Sequence, residues 1–228
     1  MTELVQQHTD YAIVEREPPE QLGRNLNSAG HLLASATAFF FLAFVFAYFY
    51  LRSLDNGGLW HPKHVDPPQT FGALVMAAAV IAAVLVRWGL ADHRAGRRPA
   101  WRVKGACALA AGVLAVALQI AAWTQVGFGP ADGGYASVYF GWTSFYALFL
   151  VGALYWLETV LATSIRYRGW AAGERDVAPG EASGDPHRSG EDVRDPVSLV
   201  RAGLEGVSFY WSFIAGVGVL AWIVLYLV

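Results

Sequence analysis

The chain has 228 residues, of which 55% are hydrophobic and 15% are charged, and its formal net charge is −2. Soluble globular domains carry about 25% charged residues, so this composition indicates a membrane protein. The small negative net charge excludes bulk attraction to nucleic acid.

Five apolar stretches are each long enough to cross a bilayer, which takes about 20 residues of helix. In chain order they are Leu32–Leu51, Phe71–Ala91, Gly105–Thr124, Tyr135–Ile165 and Val207–Val228. Backbone polar groups cannot face lipid unpaired, so each span must be helical. The sequence therefore predicts an all-α membrane protein with a bundle of five transmembrane helices.

The N-terminal part of the chain predicts a tail followed by four spans. Residues 1–27 are polar and are predicted to form a flexible cytoplasmic tail, because Pro18 and Pro19 oppose a helix there. Asn27 or Ser28 is then expected to cap the first helix. Spans one to four occupy residues 28–167. Short connections predict that span one packs against span two, and span three against span four.

The C-terminal part of the chain predicts a loop and a long helix. Residues 168–194 are rich in Gly, Pro, Ser and charge, which is typical of a disordered loop, here cytoplasmic. Asp195 and Pro196 fit an N-cap and a first helical position. Residues 195–228 are therefore predicted to form one long final helix that contains the fifth span.

The basic residues predict the orientation, because Lys and Arg accumulate in cytoplasmic segments. The tail, the second-to-third connection and the fourth-to-fifth connection, each counted with its flanks, share one side of a five-span chain and hold fourteen Lys and Arg. The opposite side holds two, Arg52 and Lys63. We expect the N-terminus to be cytoplasmic and Val228 to lie outside.

Histidine placement bears on cofactors. All six histidines lie outside the spans or at their edges, while haem and copper centres in membranes are held largely by imidazoles on helices. We therefore expect no haem, copper or other metal in this chain. The loop motif HPKHVD (residues 61–66) brings two histidines and an aspartate together, but its prolines favour an ordinary loop.

Two polar residues within the spans are candidate functional positions. Glu158 is the one acid in a span, and intramembrane acids are functional candidates. It either has such a role, reaches the interface or pairs with a base on a neighbouring helix, such as Arg87. Gln119 is predicted to hydrogen-bond between helices.

The final span carries the clearest family resemblance. The segment FYWSFIA (residues 209–215) resembles Tyr-Tyr-Trp-His-Phe-Val-Asp in subunit III of the haem–copper terminal oxidases, the cytochrome c oxidase subunit III family. The aromatic entry of Tyr210 and Trp211 is kept. Ser212 and Ala215 stand where the family has His and Asp.

The resemblance continues through the other spans. ATAFFFLAFVFAYFYLR (residues 36–52) looks like the family's first helix, with Thr37 in place of a Glu. In LQIAAW (residues 118–123) Gln119 matches the family's Gln, and Ala122 replaces an acid. In span four, Tyr146 and Phe149 stand at two family His positions. The chain thus resembles a divergent, five-helix bacterial form.

This resemblance implies a non-catalytic subunit of a bacterial aerobic respiratory oxidase. Such a subunit packs on the haem- and copper-containing subunit I and meets subunit II. It stabilises the complex, binds phospholipid and supports proton uptake. The resemblance also implies a multi-pass protein of the bacterial plasma membrane, in a respiratory electron-transport complex linked to proton translocation. The candidate polar, partner-facing or lipid-facing positions are Thr37, Gln119, Glu158, Tyr210, Trp211 and Ser212.

Two alternatives stay open from the sequence. The nearer is an accessory subunit of nitric oxide reductase. The other is a small transporter or scaffold, which is disfavoured because transporter sites need broken helices or convergent polar groups at the bilayer midplane.

Overall fold

The computed structural model describes residues 19–55, 57–166 and 196–228, with side chains described from Asn25 in the first helix and from Val200 in the last. These ranges contain five long helices and no strand. The helices are α1 (Pro19–Ser53), α2 (Gln69–Arg94), α3 (Arg98–Gln125), α4 (Gly134–Arg166) and α5 (Pro196–Tyr226). Each contains a segment long and apolar enough to span a membrane, so the predicted five-helix fold is confirmed.

The first helix begins earlier than the sequence suggested. It starts at Pro19, so the predicted start at Asn27 or Ser28 is corrected. Proline is tolerated in the first turn of a helix, because the N–H group that it lacks would have no intrahelical partner there. The rest of the predicted tail, residues 1–18, and the predicted loop at 168–194 lie outside the described residues.

The helices form a ring in which neighbours in space are not always neighbours in sequence. Contacts join α1 to α5, α5 to α2, α2 to α3, α3 to α4 and α4 back to α1, and α5 also touches α4 across the ring. The predicted pairing of spans three and four is confirmed. The predicted pairing of spans one and two is wrong, because α5 lies between them and α1 and α2 make no contact within the described residues.

The bundle has two ends, which we name after residues in their connections. The Trp60 end carries the connections 54–68 and 126–133, and the Arg97 end carries the connection 95–97 and the first turns of α5.

The connection at the Arg97 end is a tight helix stop. Gly96 has φ 74°, a left-handed conformation that glycine adopts without steric cost. The Arg97 N–H donates to the Asp92 carbonyl at 2.8 Å, and the Gly96 N–H donates to the His93 carbonyl at 3.0 Å. This hydrogen-bond pair is the Schellman motif, which satisfies the last carbonyls of α2. The turn holds α2 and α3 side by side.

Candidate functional site: a helix junction on α5

Residues 210–212 of α5 form a junction from which three consecutive side chains reach different helices. Successive residues of an α-helix point about 100° apart, so a central helix can contact several neighbours within one turn. We call these residues, with their partners on the other helices, the α5 junction. It contains four of the six positions that the sequence singled out.

Tyr210 connects α5 to α1. Its hydroxyl lies 3.4 Å from the hydroxyl of Thr37, and both residues are buried. Thr37 already donates its proton to the carbonyl of Leu33 at 2.7 Å, so Tyr210 is the donor between the helices. Each of these two buried hydroxyls therefore has a hydrogen-bond partner on the other helix, where water and lipid are excluded.

Trp211 connects α5 to α3 and α4, and none of its surface is exposed. Its indole N–H donates to the Ala153 carbonyl on α4 at 3.2 Å. The far edge of the ring lies over Gly112 on α3, where an added Cβ would come within 2.7 Å of Trp211 Cη2 and of Leu154 Cδ2. Gly112 is therefore the residue that leaves room for the ring.

Ser212 connects α5 to α2. Its hydroxyl donates to the Ser208 carbonyl at 2.8 Å and accepts from Arg87 Nη1 at 3.2 Å. Arg87, the example of a base that the sequence offered as one possible partner for Glu158, instead faces α5 and donates to Ser212. Glu158 is exposed on α4 and makes no hydrogen bond or ion pair within the described residues.

Gln119 lies apart from the α5 junction, nearer the Trp60 end. The residue is buried, but within the described part of the chain its amide nitrogen has no hydrogen-bond partner. The amide nitrogen therefore makes no direct interhelical hydrogen bond with a described residue, and the interhelical role of Gln119 stays a prediction. The side chain instead lines a small internal cavity between α2, α3, α4 and α5.

The predicted positions thus separate into two groups. The chain's own helices cover Thr37, Gln119, Tyr210 and Trp211, so these four are not lipid- or partner-facing. Ser212 is half-buried, and Glu158 is exposed.

A charged cluster at the Arg97 end escaped the sequence analysis. The buried Asp92 carboxylate lies 2.7 Å from Arg97 Nη2 and 2.5 Å from Lys104 Nζ. Glu205 of α5, two residues before the predicted span, pairs with Arg94 of α2 at 3.0 Å and with Arg201 at 3.3 Å. Acids beside a short, arginine-rich connection are the signal that could have revealed this cluster, which ties α2 to both α3 and α5.

The α5 junction is suited to positioning helices. Its polar atoms are hydroxyls, one indole N–H and one guanidinium, and each has a named partner. Across residues 25–55, 57–166 and 200–228, no three His, Cys, Asp or Glu side chains come together as a set of metal ligands.

Comparison with known proteins identifies relatives of the chain. It is 32% identical over 156 residues to cytochrome c oxidase subunit 3 of Formosania lacustris. It is 31% identical over the same length to the subunit 3 proteins of Cyprinus carpio and Squalus acanthias. The match covers 66% of this chain and 59% of each relative, so it spans about three fifths of their length. No protein-family model matches the chain.

Proposed function

We propose, from the premise that the chain is a relative of cytochrome c oxidase subunit 3, that it is an accessory subunit of a bacterial aerobic respiratory oxidase. The similarity to the subunit 3 proteins is the observation that carries this proposal. In this role the chain packs on a catalytic subunit that holds haem and copper. It stabilises that subunit and supports proton uptake indirectly, without a redox centre of its own.

The exposed surface of the bundle supports a role in a larger membrane complex. The most exposed large side chains of α1 include Leu32, Phe39 and Phe46, while α4 exposes Leu148 and Tyr155. Glu158 lies on the same exposed side of α4, inside a span. A carboxylate in a span is costly unless a base or a polar surface meets it. A partner subunit with a basic residue at that depth would supply such a contact.

The proposal is tested by purifying the tagged chain from its own membranes in mild detergent. We expect a haem-containing subunit to co-purify, and the preparation to consume oxygen when given an electron donor. Untagged membranes carried through the same steps are the control. Recovery of the folded chain without haem, while oxygen reduction remains in other fractions, would contradict the proposal. Reduction of nitric oxide in place of oxygen would identify the other respiratory complex.

We also place the Arg97 end on the cytoplasmic face of the bacterial plasma membrane. The connection there and its flanks carry six basic residues, from Arg87 to Lys104. This placement follows the tendency of Lys and Arg in short loops to remain inside.

The orientation is tested with two exposed alanines in connections at opposite ends, Ala95 and Ala131. In a Cys107→Ala background, Ala131→Cys should react with a membrane-impermeant maleimide in intact cells, and Ala95→Cys only in inside-out vesicles. The opposite pattern would reverse the proposed orientation.

We further propose that phospholipid binds along α5, in the groove between α1 and α2. The exposed residues of α5 recur at helical spacing, at Phe209, Gly216, Leu220 and Ile223. Phe209 stacks on His31 of α1, with ring centroids 4.0 Å apart. On the α2 side of the groove, Arg87 donates a hydrogen bond to Ser212. Its exposed guanidinium can also bind a phosphate group.

Lipid binding is tested by filling the groove. An added Cβ at Gly216 would meet no atom within 4 Å, so Gly216→Leu should fold normally. We expect less phosphorus per purified chain in Gly216→Leu than in the wild type. The control is Ala106→Leu, which enlarges an exposed position on α3 away from the groove. Equal phosphorus in both variants would remove the groove as the lipid site.

A further inference from the structure

A small cavity inside the bundle is lined by polar atoms that lack protein partners. It lies between α2, α3, α4 and α5, and Gln119, Trp142, Tyr146 and Trp222 contribute to its wall. Four buried polar atoms of these wall residues have no hydrogen-bond partner within the described part of the chain: Gln119 Nε2, the Trp142 and Trp222 indole nitrogens, and the Tyr146 hydroxyl. Trp142, Tyr146 and Gln119 are each at least 97% buried.

Leaving these groups unpaired would be costly. A buried polar group without a partner loses about 1–3 kcal/mol relative to one that is satisfied, and such groups are rare in folded proteins. Four around one cavity are therefore unexpected unless they share a ligand. Three of the four are N–H donors, so that ligand must offer acceptor oxygen.

The size of the cavity selects the ligand. The space open to the centre of a water molecule is about 20 Å³. One bound water occupies roughly 10–15 Å³, so the cavity has room for at least one water molecule. Water also both accepts and donates, so it can bind two N–H groups together with the Tyr146 hydroxyl.

A second, larger cavity lies next to the internal cavity on the Trp60 side. It has a volume of about 540 Å³, opens among Arg52, His61, Asp66 and Gln69, and shares Leu225 and Tyr226 with the internal cavity. Tyr226 packs over Gly72 and hydrogen-bonds the Tyr139 hydroxyl at 3.4 Å. Movement of the Tyr226 ring would connect the two cavities.

We propose that the internal cavity is a binding site for one ordered water molecule, held between Gln119, Trp142, Tyr146 and Trp222. The water accepts hydrogen bonds from two of the N–H groups and bonds to the Tyr146 hydroxyl. It joins α3, α4 and α5 through a shared partner, since these four residues lie on those three helices. In this arrangement the Gln119 amide acts between helices through water.

The proposed water site is tested by whether removal of one of its polar groups lowers or raises the unfolding temperature. Tyr146→Phe and Gln119→Met remove one polar group each at nearly constant volume. If water is bound, both variants lose a hydrogen bond and should unfold at a lower temperature than the wild type in the same detergent. If the cavity is dry, each removes an unpaired group, and the unfolding temperature should stay equal or rise. The matched control is Tyr155→Phe, at an exposed hydroxyl on α4.

Direct observation supplies an independent test that needs no variant. A map of the full complex that shows ordered water should contain one compact peak within hydrogen-bond distance of at least two of the four atoms. An elongated density, as from an acyl chain, or an empty cavity in a map that shows ordered water elsewhere in the bundle, would overturn the proposal.

Discussion

Helices α5 and α1 are both uncharged in their spans, yet they occupy opposite environments. In the most apolar stretch of α5, 56% of the residues are buried, against 22% in α1. Helix α1 has the higher mean hydropathy, yet it is also the more exposed of the two helices. In a bilayer, apolar side chains gain little by leaving lipid, so close packing and hydrogen bonds decide which helix is central.

The buried residues of the two helices show how this selection works. α1 buries one narrow stripe, Gly30, Ala34, Thr37, Phe41 and Tyr48, which faces α5 and α4. α5 directs Tyr210, Trp211 and Ser212 to three sides. The central helix thus differs from the peripheral one in having partners in several directions.

Among substitutions in the two helices, removal of the Trp211 ring from the central helix should reduce the stability of the bundle most. Trp211→Ala leaves a void between α3 and α4 and removes the donor to Ala153, so we expect a loss of about 3–5 kcal/mol. Thermal unfolding in mild detergent measures it. Trp88→Ala, at a tryptophan that is 58% exposed, is the control and should change little. Similar losses at both positions would mean that burial in the bundle does not distinguish them.

The second-largest loss of stability is expected when a side chain is added in the space beneath Trp211. Gly112→Ala places a methyl group against Trp211 and Leu154, which should destabilise the bundle by about 1–3 kcal/mol. The matched substitution Gly216→Ala, on the exposed side of α5, should be neutral or stabilising by about 0.5–1 kcal/mol, because alanine favours helix. Unfolding curves of the two variants should therefore move in different directions.

The hydrogen bond between α1 and α5 should contribute less. Interhelical hydrogen bonds in membrane proteins average about 0.6 kcal/mol in double-mutant cycles. A cycle of Thr37→Val and Tyr210→Phe should yield a coupling near that value. A coupling near zero would show that ring packing alone holds this contact.

The smallest effect on the isolated chain is expected on the exposed side of α1. Phe39→Ala, at a side chain that is 77% exposed, should change unfolding by less than about 0.5 kcal/mol. Its effect should appear instead in the amount of catalytic subunit that co-purifies. If neither quantity changes, this part of α1 faces lipid in the complex.

Much of the fold could be predicted from the sequence, because span length and apolar composition identify helices directly. The position of α5 could not be predicted. The connection 54–68 has fifteen residues, enough to cross a neighbouring helix, so its ends need not join adjacent helices. The three-residue connection 95–97 leaves no such freedom, and α2 and α3 are packed together.

The sequence identified the segment of the α5 junction, but it did not predict the direction in which the side chains of that segment point. The segment at Tyr210, Trp211 and Ser212 was selected for its aromatic pattern, but Trp211 points inward. The direction of a side chain depends on which helices surround it, and the sequence placed α1 beside α2. Once α5 is placed between α1 and α2, Ser212 becomes the nearest partner for Arg87.

The position of α5 between α1 and α2 has a consequence for biogenesis. A ribosome that adds about 5–20 residues per second needs roughly 7 to 26 s to proceed from the end of α2 to the end of α5. Throughout that interval the nascent α1 has no α5 to pack against, and its stripe must be shielded by lipid, by the insertion machinery or by another nascent chain. Translational pausing or an insertion chaperone would therefore act most strongly on this protein before α5 emerges.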